Sequence, residues 1–302
     1  MKRKVGISTF EFQARYGDIR ALEMAKEAGA DAVDFNVSRY NADEDGIYSK
    51  SDDEIVAYFK GIRAKADEIG IEICQTHGRG YTFKNDPEYD ANVLKNARLD
   101  CLATAAMGVE VCVMHGVTTC DFSPDVDPKF MHQLNFDFFT KALVFAKEYG
   151  VKIATETFGD APNFGCCDFF GNTREFIISF NRISAVGDNS DYFTMCMDTG
   201  HCNKAMRFNN NPKPADVIRL LGKNISVLHL HDNDTFTDQH KMPFTGCIDW
   251  NDVFDAFDEI GFEGVYNLEM VCERMGHEVG LDYARFAVTA FRNFLKNRYG
   301  DN

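Results

Sequence analysis

"VLHLHDNDTFTDQH", residues 227–240, places three of the chain's eight histidines and three of its aspartates within fourteen positions. It begins as an apolar strand and turns abruptly polar. Groups of that kind are costly to bury unless something compensates them. A metal ion would do so, and so would a solvated loop. The rest of the chain decides between them.

Seven other short apolar runs have the same character. They are "KVGISTF" (4–10), "AVDFNV" (32–37), "IEICQTHG" (71–78), "VEVCVMHG" (109–116), "VKIATETFG" (151–159), "YFTMCMDTG" (192–200) and "GVYNLEMV" (264–271); the opening stretch belongs to "ISVLHLHD" (225–232). Several are apolar on both faces, as parallel strands covered by helices are. Between them lie segments of helical period. "IRALEMAKEAGA" closes on Gly29, "DDEIVAYFKGIRAKADEIG" on Gly70, "ANVLKNARLDCLATAAMG" on Gly108 and "NFDFFTKALVFAKEYG" on Gly150. "DWNDVFDAFDEIGF" precedes the last run and "YARFAVTAFRNFLKNRYG" ends the chain. Glycine just past the last turn is a common helix stop. No linker or low-complexity block divides the sequence. Eight strand–helix units in 302 residues predict one α/β domain over 1–302, a (β/α)8 barrel. An open doubly wound sheet is the alternative, but the turn after the first run, "STFEFQARYGD", has no GxGxxG.

Composition narrows the function. Hydrophobic residues make up 45% and aromatics 13%, enough for a large core. The net charge of −15 repels phosphate backbones and argues against nucleic acid. No apolar run is long enough to span a membrane, and the N-terminus lacks an apolar signal core, so a cytoplasmic protein is expected. The ten cysteines form no CxxC pair and are expected to be reduced thiols that pack as small hydrophobes.

In a (β/α)8 barrel the C-terminal strand ends meet around one axis. Strand three ends with His77 and strand four with His115. Strand five carries Glu156, and strand six ends with Asp198 and His201. Strand seven carries His229 and His231, its loop adds Asp238 and His240, and strand eight carries Glu269. Six consecutive strands thus bring imidazoles or carboxylates to one pocket. Glu156, Asp198, His229 and Glu269 form an oxygen-rich set with one imidazole and no thiolate. That set favours Mn²⁺, with Mg²⁺, Co²⁺ or Zn²⁺ as alternatives. Four protein ligands on a six-coordinate ion leave two positions for vicinal oxygens of a polyol or hydroxyketone.

Along its full length the chain resembles the xylose isomerase-like TIM-barrel superfamily, the sugar phosphate isomerase/epimerase family. That superfamily holds sugar isomerases, ketose 3-epimerases, inosose dehydratases and class II apurinic endonucleases. The marks are "ATETFGD", "MDTGH", "HLHDND", "DQHKMPFTGCIDW" and "NLEM". The resemblance implies metal ligation by Glu156, Asp198, His229 and Glu269, proton transfer by Glu156 and Glu269, and a substrate contact at His201. Asp238 and His240 match a D-x-H that binds a further metal in the endonuclease branch, and His77 and His115 match metal positions there. With an acidic chain, one metal is preferred, and His77, His115, His201 and His240 are expected to line a sugar pocket. His231 is expected to face away from His229's side in a structural or supporting role. The ketose 3-epimerases usually carry an arginine after the strand-seven histidine; "HDNDTFTD" has none. In "THGRGYTFKND" (76–86), Arg79, Tyr81 and Phe83 are candidates for substrate recognition, and "FGDAPNFGCCDFFG" (158–171) is a candidate lid.

The resulting expectation is a metal-dependent sugar isomerase or epimerase. It would move a proton next to a carbonyl through a metal-stabilised enediolate. A lyase sharing the enolising step, of the inosose dehydratase kind or eliminating from a 3-keto sugar, is the alternative. A multi-metal hydrolase of the endonuclease kind ranks lower. The expected partner is a small carbohydrate, with no nucleic acid and no membrane; a homo-oligomer is compatible.

Overall fold

A computed structural model describes residues 3–208 and 211–300. Eight parallel strands follow one another around the barrel: β1 (Val5–Ser8), β2 (Ala32–Asn36), β3 (Glu72–His77), β4 (Val111–Met114), β5 (Lys152–Glu156), β6 (Phe193–Asp198), β7 (Ile225–His229) and β8 (Tyr266–Leu268). All eight fall within the runs anticipated from the sequence. The ring is completed by β8 pairing with β1, Val5 opposite Tyr266. The last seam, β7 to β8, is a single parallel bridge between Leu230 and Leu268. Leu230 N–H donates to the Asn267 carbonyl at 2.8 Å, and Glu269 N–H to the Leu230 carbonyl at 3.1 Å.

The helices are α1 (Phe10–Tyr16), α2 (Asp18–Glu27), α3 (Asp52–Ile69), α4 (Pro87–Ala106), α5 (Pro128–Tyr149), α6 (Thr173–Ser184), α7 (Thr199–Ala205), α8 (Pro214–Leu221), α9 (Trp250–Ile260) and α10 (Gly280–Tyr299), of which the short α7 is wholly buried. Their ends follow from local chemistry. Ser51 and Glu54 form a reciprocal capping box on α3, and Gly70 ends it in the left-handed region at φ 73°. Helices α4 and α5 start before the apolar period does. Asp86–Pro87 and Asp127–Pro128 each supply an N-cap carboxylate followed by a proline at the first helical position.

The main core lies between the strands and the helix ring. Inside the barrel sits a separate small cluster, Val111, Val113, Ala154, Cys196 and Val227. Side chains two apart on a strand share a face. The residues two beyond Val113, Ala154, Cys196 and Val227 are His115, Glu156, Asp198 and His229. The polar cluster therefore stands on an apolar plug. Among the described residues no helix is long and apolar enough to cross a membrane, and all ten cysteines are free of disulfides.

Replacing Gly70 by Ala puts a Cβ into a left-handed turn, which costs about 1 kcal/mol. Urea unfolding should show that loss with an unchanged slope; equal stability would mean that the turn relaxes.

Candidate metal centre and active site

Four side chains converge at the C-terminal rim. Glu156 ends β5, Asp198 ends β6, His229 ends β7 and Glu269 stands just past β8. One ligand atom from each lies within 4.8 Å of all the others. The three carboxylates are only 1%, 0% and 7% exposed, in that order. Buried anions this close demand compensation. The set of carboxylate oxygens and one imidazole suits a hard divalent ion, so the residues present fit the metal that the sequence pattern implies.

Each group is held. Asp198 caps α7, accepting the His201 N–H at 2.6 Å. His229 lies between two carboxylates, Nδ1 3.0 Å from Glu156 Oε1 and Nε2 2.9 Å from Asp34 Oδ2. His77 stacks on the His229 ring at 5.2 Å and 4°. His115 Nε2 approaches Glu156 Oε2 to 3.1 Å. His201 Nδ1 lies 3.1 Å from the Thr157 carbonyl, which turns its Nε2 towards Asp238, 3.5 Å away. His240 places Nδ1 3.1 Å from the Glu269 carbonyl and Nε2 3.4 Å from Asp238.

The four histidines expected to line the pocket are thus all beside the carboxylates, and they suggest two further ligand groupings. His77, Glu156 and His229 form one; His201, His231, Asp238 and His240 form the other. His231 departs from expectation. It is two residues from His229, so an extended chain keeps it on the same side. Its Nε2 lies 3.0 Å from Asp198, and its ring stacks on His240 at 3.8 Å. Gly200 makes room for it: a Cβ there would lie 2.0 Å from the His231 ring. Asp232 is structural, accepting from Trp250 Nε1 at 2.8 Å and from the backbone of Asn233 and Ile248.

One loop expectation is corrected. Arg79 does not face the pocket. It is buried, its Nε 2.7 Å from Asp100 Oδ2, and it also donates to the Val37 and Tyr40 carbonyls. Phe83 is buried edge-on against Phe138, leaving Tyr81 as the exposed member of the three. The 158–171 segment is fastened on both sides. Asp168 accepts from Thr118 and Thr119, while Asp160 pairs with Lys204 at 2.7 Å and with Arg207. It forms a wall whose exposed part is the tip at 162–165. Sequence reasoning missed Asp34 as part of the site; a lone carboxylate inside "AVDFNV" was the available signal.

The electrostatics follow the geometry. Burial would raise the Glu156 carboxyl, but His229 and His115 hold it well below the usual carboxylate range. Burial likewise opposes ionisation of Asp198, which His201 and His231 nevertheless hold low. Burial disfavours the charged imidazoles, yet the surrounding anions lift His229 and His201 well above their ordinary value. They lift His240 to about 9. In the metal-free protein, protons on imidazoles thus compensate the carboxylates. For these raised groups the stabilisation is complete below about pH 6.5 and, at His240, is lost as pH rises through about 9.

The sequence profile of the xylose isomerase-like TIM barrel family matches residues 22–290, and the chain belongs to that family. An uncharacterized protein of Methanocaldococcus jannaschii is 26% identical over 184 residues, 58% of this chain, and the chain spans 57% of that relative's length. A solved L-ribulose 3-epimerase superposes with a TM-score of 0.72 at 15% identity, covering 98% of this chain and 95% of its own. The IOLI protein with a bound zinc atom superposes with a TM-score of 0.65 at 18% identity, covering 97% of each chain. At these identities the shared property is the fold.

A metal ion at Nδ1 of His229 must displace the proton there. Metal uptake near pH 7.5 should release about one proton or more per ion. Calorimetry in two buffers of different ionisation enthalpy measures this, and uptake without proton release would contradict the assigned ligand. Separately, Arg79→Met leaves Asp100 buried without its partner. Unfolding should be easier by about 3–5 kcal/mol, whereas a substrate-binding arginine would leave stability near wild type.

Proposed function

We propose that the protein is a metal-dependent sugar isomerase or epimerase. The observation that carries this is the convergence of Glu156, Asp198, His229 and Glu269, with ligand atoms within 4.8 Å of one another, in a ring of imidazoles. The ion, Mn²⁺ by its ligand chemistry with Zn²⁺, Mg²⁺ or Co²⁺ as alternatives, would polarise a substrate carbonyl and stabilise the negative charge that develops on it. The fold similarity to an L-ribulose 3-epimerase supports a small carbohydrate substrate, and the likeness to a zinc-bound protein supports a divalent ion.

Glu156 and Glu269 enter from β5 and β8, three strands apart around the ring. One takes the proton from the carbon next to the carbonyl, leaving an enediolate, and the other returns a proton to that carbon or its neighbour. His115 beside Glu156 and His240 beside Glu269 fix the two carboxylates in place. His77, His115, His201 and His240 present N–H groups towards substrate hydroxyls. If a leaving group stands beside the enediolate, the same proton abstraction leads to elimination, which is the lyase alternative.

The grouping of His201, His231, Asp238 and His240 favours a second reading, a multi-metal hydrolase. Elemental analysis distinguishes the two: one ion per chain supports the isomerase, and three support the hydrolase. The charge of −15 disfavours DNA as that hydrolase's substrate. Duplex DNA should not bind measurably at physiological salt, and roughly micromolar affinity would revive it.

The deciding experiment is a panel of ketoses, inososes and 3-keto glycosides given to metal-loaded protein in deuterated water. Deuterium should enter one substrate carbon, and product identity then separates isomerase from lyase. Glu156→Gln and Glu269→Gln should each reduce exchange about 10²- to 10⁴-fold at equal metal content. A variant that keeps its metal and exchanges at the wild-type rate would reduce that glutamate to a ligand alone.

A further inference from the structure

Asp34 lies on β2, three strands before β5 and its Glu156, and no part of the reaction above uses it. Its carboxylate is fully buried, and Oδ2 is 2.9 Å from His229 Nε2. Its other oxygen, Oδ1, has no hydrogen-bond partner among the described residues. The strand turns the side chain inward at an irregularity: pairing with β3 shifts between Val33 and Asp34, so that Asp34 stands opposite Gln75. His229 is equally buried, and its Nδ1 faces Glu156 at 3.0 Å and Glu269 at 3.7 Å. The imidazole therefore has one nitrogen towards the proposed metal and the other on the carboxylate of Asp34.

We propose that Asp34 is the positioning residue of the metal centre, holding the proton of His229 on Nε2 so that Nδ1 is free to ligate. The inference rests on the metal site proposed above. Three consequences follow from the chemistry. The ring cannot rotate about its Cβ–Cγ bond without losing the Asp34 bond and leaving a carboxylate buried alone. The neutral tautomer with Nδ1 unprotonated is selected over the other. The negative charge behind Nε2–H makes Nδ1 a stronger donor to the ion. A side chain that is only packing material would do the first of these in part and neither of the others.

The test compares wild type, Asp34→Asn and Asp34→Leu. Asparagine is isosteric and keeps an acceptor for Nε2–H but not the charge; leucine removes both. Zinc dissociation constants come from competition with a chelating dye, and ¹⁵N-histidine spectra of the zinc-loaded proteins report, through the Nε2 and Nε2–H shifts, the hydrogen bond that His229 donates. The expected order is wild type tightest, Asp34→Asn about 10-fold weaker and Asp34→Leu about 100-fold weaker. The strongly hydrogen-bonded Nε2–H signature of His229 should be weaker in Asp34→Asn than in wild type and lost in Asp34→Leu. Should Asp34→Leu fail to fold, Asp34→Asn decides by its affinity alone. Unchanged zinc affinity in Asp34→Asn and an unchanged His229 signature in Asp34→Leu would overturn the role of Asp34 while leaving the metal site standing. A wild-type protein that takes up no ion would overturn both.

Discussion

Three carboxylates buried within a few ångströms of one another are the constraint on which the rest of this structure turns. At an effective dielectric near 20, two unit charges 4 Å apart repel by about 4 kcal/mol. Glu156, Asp198 and Glu269 accept that repulsion because each is fixed by its strand and each has an imidazole against it. The barrel supplies the rigidity. Ala154, Cys196 and Val227 fill its interior, and the next inward positions of the same strands carry Glu156, Asp198 and His229. One alternation therefore sets both the packed floor and the polar site above it. An arrangement that is electrostatically unfavourable when empty of cations is well suited to taking one up.

Much of this was legible in the sequence, for a physical reason. Parallel strands buried on both faces read as apolar runs, so a charged residue at their ends is conspicuous. That is how Glu156, Asp198, His229 and Glu269 could be chosen from 302 positions. Glycine stops such as Gly70 and Gly150 were visible because their left-handed backbone excludes most other residues. Helix starts were less clear, since the apolar period begins later than the Asp–Pro caps that define α4 and α5. Contacts between distant segments were not legible at all. Arg79 looked like a ligand-binding group until Asp100, on the following helix, proved to be its partner. Asp34 sits 195 positions from His229, and nothing local in "AVDFNV" names its target. His231 was placed on the wrong side by a misapplied alternation: residues two apart in an extended chain share a face.

The walls of the site bear on its dynamics. The segment 158–171 is tied to the β4 loop through Asp168, to α7 through Asp160 and Lys204, and to Arg207 just past that helix. Buried ion pairs of this kind hold one geometry, because breaking them leaves a charge without its partner. Two of the imidazoles, His201 and His240, have their Nδ1 atoms held by the Thr157 and Glu269 carbonyls, which fixes the direction of each Nε2.

The position of one divalent ion can be located directly in crystals of the full chain equilibrated with Mn²⁺ and measured near the manganese absorption edge. The proposed site should give an anomalous peak enclosed by Glu156, Asp198, Nδ1 of His229 and Glu269, with ligand distances near 2.1–2.3 Å as carboxylate and imidazole ligands give. A peak confined to His201, His231, Asp238 and His240, or no peak at all, would contradict it.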